Sequence, residues 1–157
     1  MSSFIHDCDI KINSRHGGAV CISGIAVIDN DMVVLCDPKN SRLLVNNDNT
    51  EYQYQINTRY KPYDITTIPG TNMVMVSSNT SDYIQFIDIV RKKVYNEIHI
   101  TGSQSGGVAV SNTNIFVGGE GSIHVLDNQG HPVRKIKTKS ENRTPHYITI
   151  CRCETYN

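Results

Sequence analysis

Short apolar runs, separated by clusters of Asn, Asp, Gly, Pro and Ser, fill most of the chain. GIAVI (24–28) is followed, after Asp29-Asn30-Asp31, by MVVLC (32–36). Pro38-Lys39-Asn40-Ser41 then leads into RLLVN (42–46), and Asn47-Asp48-Asn49 into EYQYQI (51–56). The same grammar returns as DITTI (64–68), MVMVS (73–77), YIQFIDI (83–89) and KVYNEIHI (93–100). It returns again as GVAV (107–110), NIFVG (114–118), SIHVLD (122–127) and PVRKIK (132–137). Runs this short, rich in Val, Ile, Thr and Tyr and bounded by turn formers, predict strands rather than helices.

The runs also keep a beat. The triplets Ile25-Ala26-Val27, Ile65-Thr66-Thr67, Val108-Ala109-Val110 and Ile148-Thr149-Ile150 begin at intervals of 40, 43 and 40 residues. The runs beginning at Met32, Met73 and Ile115 follow at intervals of 41 and 42. Four short strands every ~40 residues is the arithmetic of a β-propeller blade. The fold class predicted is therefore all-β: a partial β-propeller of about three complete four-stranded blades, with single strands of the flanking blades. The blades span about 24–57, 64–100 and 107–138, a strand of a preceding blade spans 4–12, and 146–152 opens the next. A β-sandwich has no need of this period. Gly24, Ala26 and Gly107 are expected to serve a crowded central channel, and the continuous apolar second strands to pack on both faces. The third and fourth strands alternate and are expected to carry a wetter face. Three blades do not close a ring, so the chain reads as a truncated gene product or as an arc completed by a second chain. Its bare blade faces lead us to expect self-association.

Composition adds little to this picture. Fifteen basic and fifteen acidic residues balance among 157, so no global field draws the chain to nucleic acid or anionic lipid. The opening MSSFIHDCDI lacks the basic and long apolar stretches of a secretory signal, which points to the cytoplasm. There the odd set Cys8, Cys21, Cys36, Cys151 and Cys153 is expected to stay as free thiols. No run is long enough to cross a membrane as a helix, so no membrane partner is expected.

One turn carries a family signal. GIAVIDNDMVVLCDPKNSRLLV places Asp37, Asn40 and Arg42 in an Asp-x-x-Asn-x-Arg turn. This resembles the NHL repeat. The Asp is suited to accept turn N–H groups, the Asn to take a left-handed conformation, and Arg42 to bridge to the carboxylate. The wider wording, including PYDITTIPGTNMVMVS and GSIHVLDNQGHPVRKIKT, resembles the NHL-like propellers of invertebrate tripartite-motif (TRIM) proteins over about residues 10–150. The second and third units depart from the full turn, with SSNTSDY and GGEGSI in its place. The resemblance implies a recognition module for partner proteins, or for RNA, whose identity the sequence does not give. It implies no catalysis by this chain, because the RING and B-box that carry ubiquitin transfer in such proteins are not written here.

Candidate chemistry is sparse. Cys151-Arg152-Cys153 places two thiols on one side of a strand, with His146 as the nearest further ligand, and ordinary buried thiols explain the pair as well. His99 and His124 alternate with apolar neighbours and are assigned to the wetter face of outer strands. The positions preceding the inner triplets are Gly24, Asp64, Gly107 and Tyr147. One carboxylate in four makes a poor Ca²⁺ cage, which weighs against a Ca-dependent propeller hydrolase or lactonase, and no cofactor is expected. The basic groups Arg91-Lys92-Lys93 and Arg134, Lys135, Lys137, Lys139, Arg143 fall on different edges. A binding face would be built by loops entering the inner strands and by those joining second to third strands. That assigns Arg59, Tyr60, Lys61 and Tyr63, then Asn79 and Asp82, then Arg143, His146 and Tyr147. Tyr63 is equally suited to packing at a blade rim.

Overall fold

The apolar runs become twelve β-strands, and each successive group of four forms its own antiparallel meander. A computed structural model describes residues 19–29, 31–78, 80–100, 106–138, 145, 147 and 148. The expected strand at 4–12 lies outside them, as does most of that at 146–152. The first sheet holds β1 (Gly24–Ile28), β2 (Met32–Asp37), β3 (Arg42–Asn46) and β4 (Tyr52–Asn57). The second holds β5 (Ile65–Thr67), β6 (Met73–Val76), β7 (Tyr83–Asp88) and β8 (Lys93–His99). The third holds β9 (Val108–Val110), β10 (Asn114–Gly119), β11 (Ser122–Asp127) and β12 (Pro132–Lys137). Among the described residues the helical structure is one 3₁₀ turn, Pro38–Asn40. In each third–fourth pair a β-bulge shifts the register, at Val45/Asn46, Phe86/Ile87 and Val125/Leu126. Bulges sharpen the twist that lets such sheets fan out.

The first strands β1, β5 and β9 lie beside one another, so the sheets radiate from a common axis and stack face to face. Alternation along each strand supplies both stacks. Val74, Val76, Ile87 and Ile89 of the second sheet meet Val34, Leu43 and Val45 of the first. On the opposite face Met75, Ile84 and Phe86 meet Val108, Ile115, Val117 and Leu126 of the third. Each such side chain, once buried, contributes roughly 1.5–3 kcal/mol. This explains the continuous apolar second strands. It also corrects the expectation for the third strands: every residue of β3 is buried, and β7 is buried from Ile84 to Asp88. Wet faces belong to the fourth strands, and β12 is exposed throughout.

Hydrogen bonds latch neighbouring sheets near the axis. Ser23 Oγ donates to the Tyr63 carbonyl at 2.6 Å, and Ser77 Oγ to the Gly106 carbonyl at 2.7 Å. Val108 N–H donates to Asp64 Oδ2 at 2.8 Å, and Gly107 N–H to the Pro145 carbonyl at 2.8 Å. Glycines of β1 and β10 permit this close approach. A Cβ on Gly24 would stand 3.0 Å from the Tyr63 carbonyl oxygen, and one on Gly118 would overlap the Pro145 carbonyl oxygen. The third-to-fourth turns share a side-chain lock: Glu51 N–H donates to Asn47 Oδ1, Arg91 N–H to Asp88 Oδ1 and His131 N–H to Asp127 Oδ1. The lock frees the turn to place a left-handed residue, as at Gly130 (φ 89).

Candidate functional site

The loops that enter first strands and those that join second to third strands share one end of the sheets, here the upper face. Asp37, Asn40 and Arg42 build the first of these turns. Asp37 is fully buried, and its Oδ2 accepts from Asn40 Nδ2 at 2.7 Å and from Arg42 Nε at 2.9 Å. Its Oδ1 accepts the Cys21 N–H at 3.3 Å. Arg42 also reaches Gln55 Oε1 at 2.8 Å, tying β3 to β4. Burial pushes the Asp37 carboxyl up, but the bonds from Asn40, Arg42 and Cys21, with the Arg42 charge, outweigh it and hold the carboxyl below its ordinary range. The left-handed residue of the turn is Ser41 (φ 50) and not Asn40, which closes the 3₁₀ turn and spends its carboxamide on Asp37. This turn is structural, with its polar groups turned inward.

The β4–β5 connection carries Arg59, Tyr60, Lys61 and Tyr63 across the upper edge of the second sheet. Backbone bonds pin both ends, Thr58 N–H to the Ser41 carbonyl and Tyr63 N–H to the Ser77 carbonyl. Between them the chain lays the Tyr60 ring on that of Tyr83, centroids 5.4 Å apart and planes 8° from parallel. Tyr83 in turn meets His99 at 4.9 Å. The Arg59 guanidinium stands 5.3 Å from the Tyr60 centroid and reaches Glu97 Oε2 at 3.3 Å, and Glu97 Oε1 accepts from Gln85. Asp82 joins this edge through its carbonyl, which accepts the Ile100 N–H. The result is a ledge of half-exposed rings beside an exposed arginine, fixed in place from below.

Tyr63 lies elsewhere. It turns toward the axis, where burial, then the neighbouring Tyr147 and Asp64, push its hydroxyl pKa up. An open cleft of about 340 Å³ there is lined by Asp64, Thr66, Val108 and Tyr147. Burial pushes the Asp64 carboxyl up, against the N–H groups of Val108 and Ile65 that it accepts. Among the described residues no three His, Cys, Asp or Glu side chains gather at metal-binding distance. Asn79, Arg143 and His146 lie outside the described residues, as do Cys8, Cys151 and Cys153. Cys21 and Cys36 are free, and burial, with the nearby Asp64 charge, pushes the Cys36 thiol far above its ordinary range.

Three groups in the ledge escaped sequence reasoning: Tyr83, Glu97 and His99. The register Tyr83↔His99 and Gln85↔Glu97 puts them at the upper end of β7 and β8. Chain order alone held that signal, because a third strand starts and a fourth strand ends on the upper face. His124 also departs from its expected wet face. Its Nε2 is buried without a hydrogen-bond partner, and burial, with Lys135 nearby, lowers its pKa.

Meanders of four strands, radiating from an axis with the first strand innermost, define a partial β-propeller, and each sheet is a blade. No protein-family model matches the chain, and no curated protein matches it. Solved β-propeller proteins do. Hydrazine synthase of Kuenenia stuttgartiensis aligns at a TM-score of 0.71 and 20% identity, over 87% of this chain and 41% of its own. Hsv2 of Kluyveromyces lactis aligns at 0.58 and 14%, over 76% of this chain and 38% of its own. BamB of Moraxella catarrhalis aligns at 0.58 and 20%, over 74% and 38%. The chain thus spans about two fifths of the length of these propellers, and at these identities the likeness is one of fold.

Proposed function

We propose that this chain is a protein-recognition module, the substrate-selecting part of a TRIM/NHL-type protein, acting in the cytoplasm and carrying no catalytic step of its own. The observation that supports this reading is the Arg59–Tyr60–Tyr83 ledge. Tyr and Arg gathered at an accessible surface are the residues on which interface energy concentrates. Stacked tyrosines also suit unpaired bases, which is the RNA reading. Against it, Arg91, Lys92 and Lys93 stand on the lower face, where Arg91 is engaged by Asp88 and Lys92 sits over the Tyr54 ring. The hydrolase reading has only Asp64, whose carboxylate already accepts the Val108 N–H.

Capture on immobilised wild-type chain, set beside the variant Arg59→Ala/Tyr60→Ala, tests the proposal. Discrete proteins, retained through nuclease treatment and lost at least tenfold on the variant, are the expected result. Equal retention on both surfaces overturns the ledge as the site. Nuclease-sensitive material with a steep salt dependence replaces the protein reading with the RNA one.

A further inference from the structure

The two blade junctions are built on one plan but finished differently on the lower face. Ile89 directly follows Asp88, the last residue of β7, as Asn128 follows Asp127, the last of β11. Asp88 pairs with Met73 and Asp127 with Asn114, the opening residues of β6 and β10, so Ile89 and Asn128 are equivalent. Ile89 is fully buried among Ile28, Val34 and Val45, plugging the junction of blades one and two. Tyr54 closes over it, its hydroxyl donating to the Ile89 carbonyl at 3.0 Å.

At the junction of blades two and three neither part is present. Asn128 is exposed, and the position of Tyr54 (opposite Val45) is taken by exposed Asn96 (opposite Phe86). What remains is a cleft of about 320 Å³. Its floor is Ile68, Phe86, Val110 and Ile115, all packed in the apolar cluster between these blades, and its rim includes Asn114 and Asn128. Among the described residues no charged side chain lines it.

We infer that this cleft is an anchor site for a neutral, extended peptide segment of a partner protein bearing one branched aliphatic side chain. The chain itself supplies the precedent: the anchor takes the place that Ile89 fills one junction earlier. The absence of charge in the lining selects against acidic and basic anchors, whose desolvation nothing would repay. Asparagine carboxamides on the rim offer both donor and acceptor to the flanking peptide groups, as the Tyr54 hydroxyl serves the Ile89 carbonyl. The site lies on the face opposite the tyrosine ledge, so it stands or falls separately from the ledge.

The test uses capped peptides, N-acetyl-Gly-X-Gly-amide with X as Ile, Leu, Ala or Asp, titrated into the isotope-labelled chain at millimolar concentration. The Ile and Leu peptides are expected to shift the amide signals of Ser111 to Ile115 and of Asn128. The Ala peptide is expected to bind at least about tenfold more weakly, and the Asp peptide not to bind. Asn128→Ile, which recreates the plug, is expected to abolish the shifts, while Asn128→Ala keeps the cleft open and retains them. Equal shifts from the Ile, Ala and Asp peptides, or none from any, overturn the inference on the wild-type chain alone. Unchanged Ile-peptide binding to Asn128→Ile overturns it as well.

Discussion

Asp37→Ala is expected to be among the most damaging single substitutions in the first blade. The side chain removed is fully buried and accepts three hydrogen bonds, at 2.7, 2.9 and 3.3 Å. Its loss leaves the Arg42 guanidinium, 6% exposed, without a counter-charge. Removing one member of such a pair costs about 3–5 kcal/mol. At a urea slope near 2 kcal/mol per molar, that moves the unfolding midpoint down by about 1.5–2.5 M. Arg42→Lys is expected to fall between wild type and Asp37→Ala, since an ammonium keeps the charge but not the fork that holds Asp37 and Gln55 together. Asp37→Leu/Arg42→Met is expected to recover much of the loss, because the desolvation cost of both charges disappears with them.

The dependence on acid has a definite sign. The folded-state pKa of Asp37 is lowered, so its ionised form stabilises the fold at any pH above the unfolded value near ~3.9. That stabilisation is lost as pH falls through the folded value, and the gap between wild type and Asp37→Ala should narrow there. Urea melts followed by circular dichroism at neutral pH and below pH ~4 read both effects. A neutral-pH difference under about 1 kcal/mol, within the range of exposed ion pairs, would refute the assignment of this network as a buried pair.

His124 predicts a second pH effect, in a different window. Its folded-state pKa is lowered by burial and by Lys135, so the neutral ring is the form that fits. Stability is fully present above the unfolded value near ~6.5 and falls as pH drops from there through the folded value. His124→Leu is expected to flatten the melting temperature across that window, and an unchanged slope would count against burial of Nε2 as the cause. On the outward face of β1, Ile25 and Val27 are 56% and 55% exposed. Light scattering is expected to show concentration-dependent self-association that Ile25→Thr/Val27→Thr reduces, and a monodisperse wild-type monomer would contradict this.

The blade plan was legible because two kinds of pattern reinforce each other. The ~40-residue beat set the units, and turn residues cut each unit into four, which together place all twelve strands nearly where they lie. What misled was treating alternation as a measure of wetness. YIQFIDI serves two junctions at once and RLLVN is buried along its whole length, and polar members such as Asn46 and Gln85 are buried with partners from neighbouring strands or turns. The candidate surface was legible in part. Loop logic found Arg59 and Tyr60 but grouped Tyr63 with them, because spacing along a loop does not reveal that the chain turns inward at buried Pro62. It missed Tyr83, Glu97 and His99, which reach the ledge through strand pairing. The lower cleft escaped entirely. Its signal is a difference between equivalent positions, Ile89 against Asn128, and that comparison requires the register of both hairpins.

The latches near the axis have a consequence for how such a chain can change length. Ser23, Asp64, Ser77 and Gly107 each reach only the adjacent unit. Energies of this kind add along the array, unit by unit. Duplicating or deleting one whole period keeps every strand in register with its own sheet and face, although the latches themselves differ, Ser23 closing the first junction and Ser77 with Asp64 the second. Inserting a single residue within β6 is far harsher, because it sends Val74 and Val76 to the face of Met75 and spoils two junctions together. For this architecture a change of forty residues is gentler than a change of one, and length variation among relatives is expected to come in whole blades.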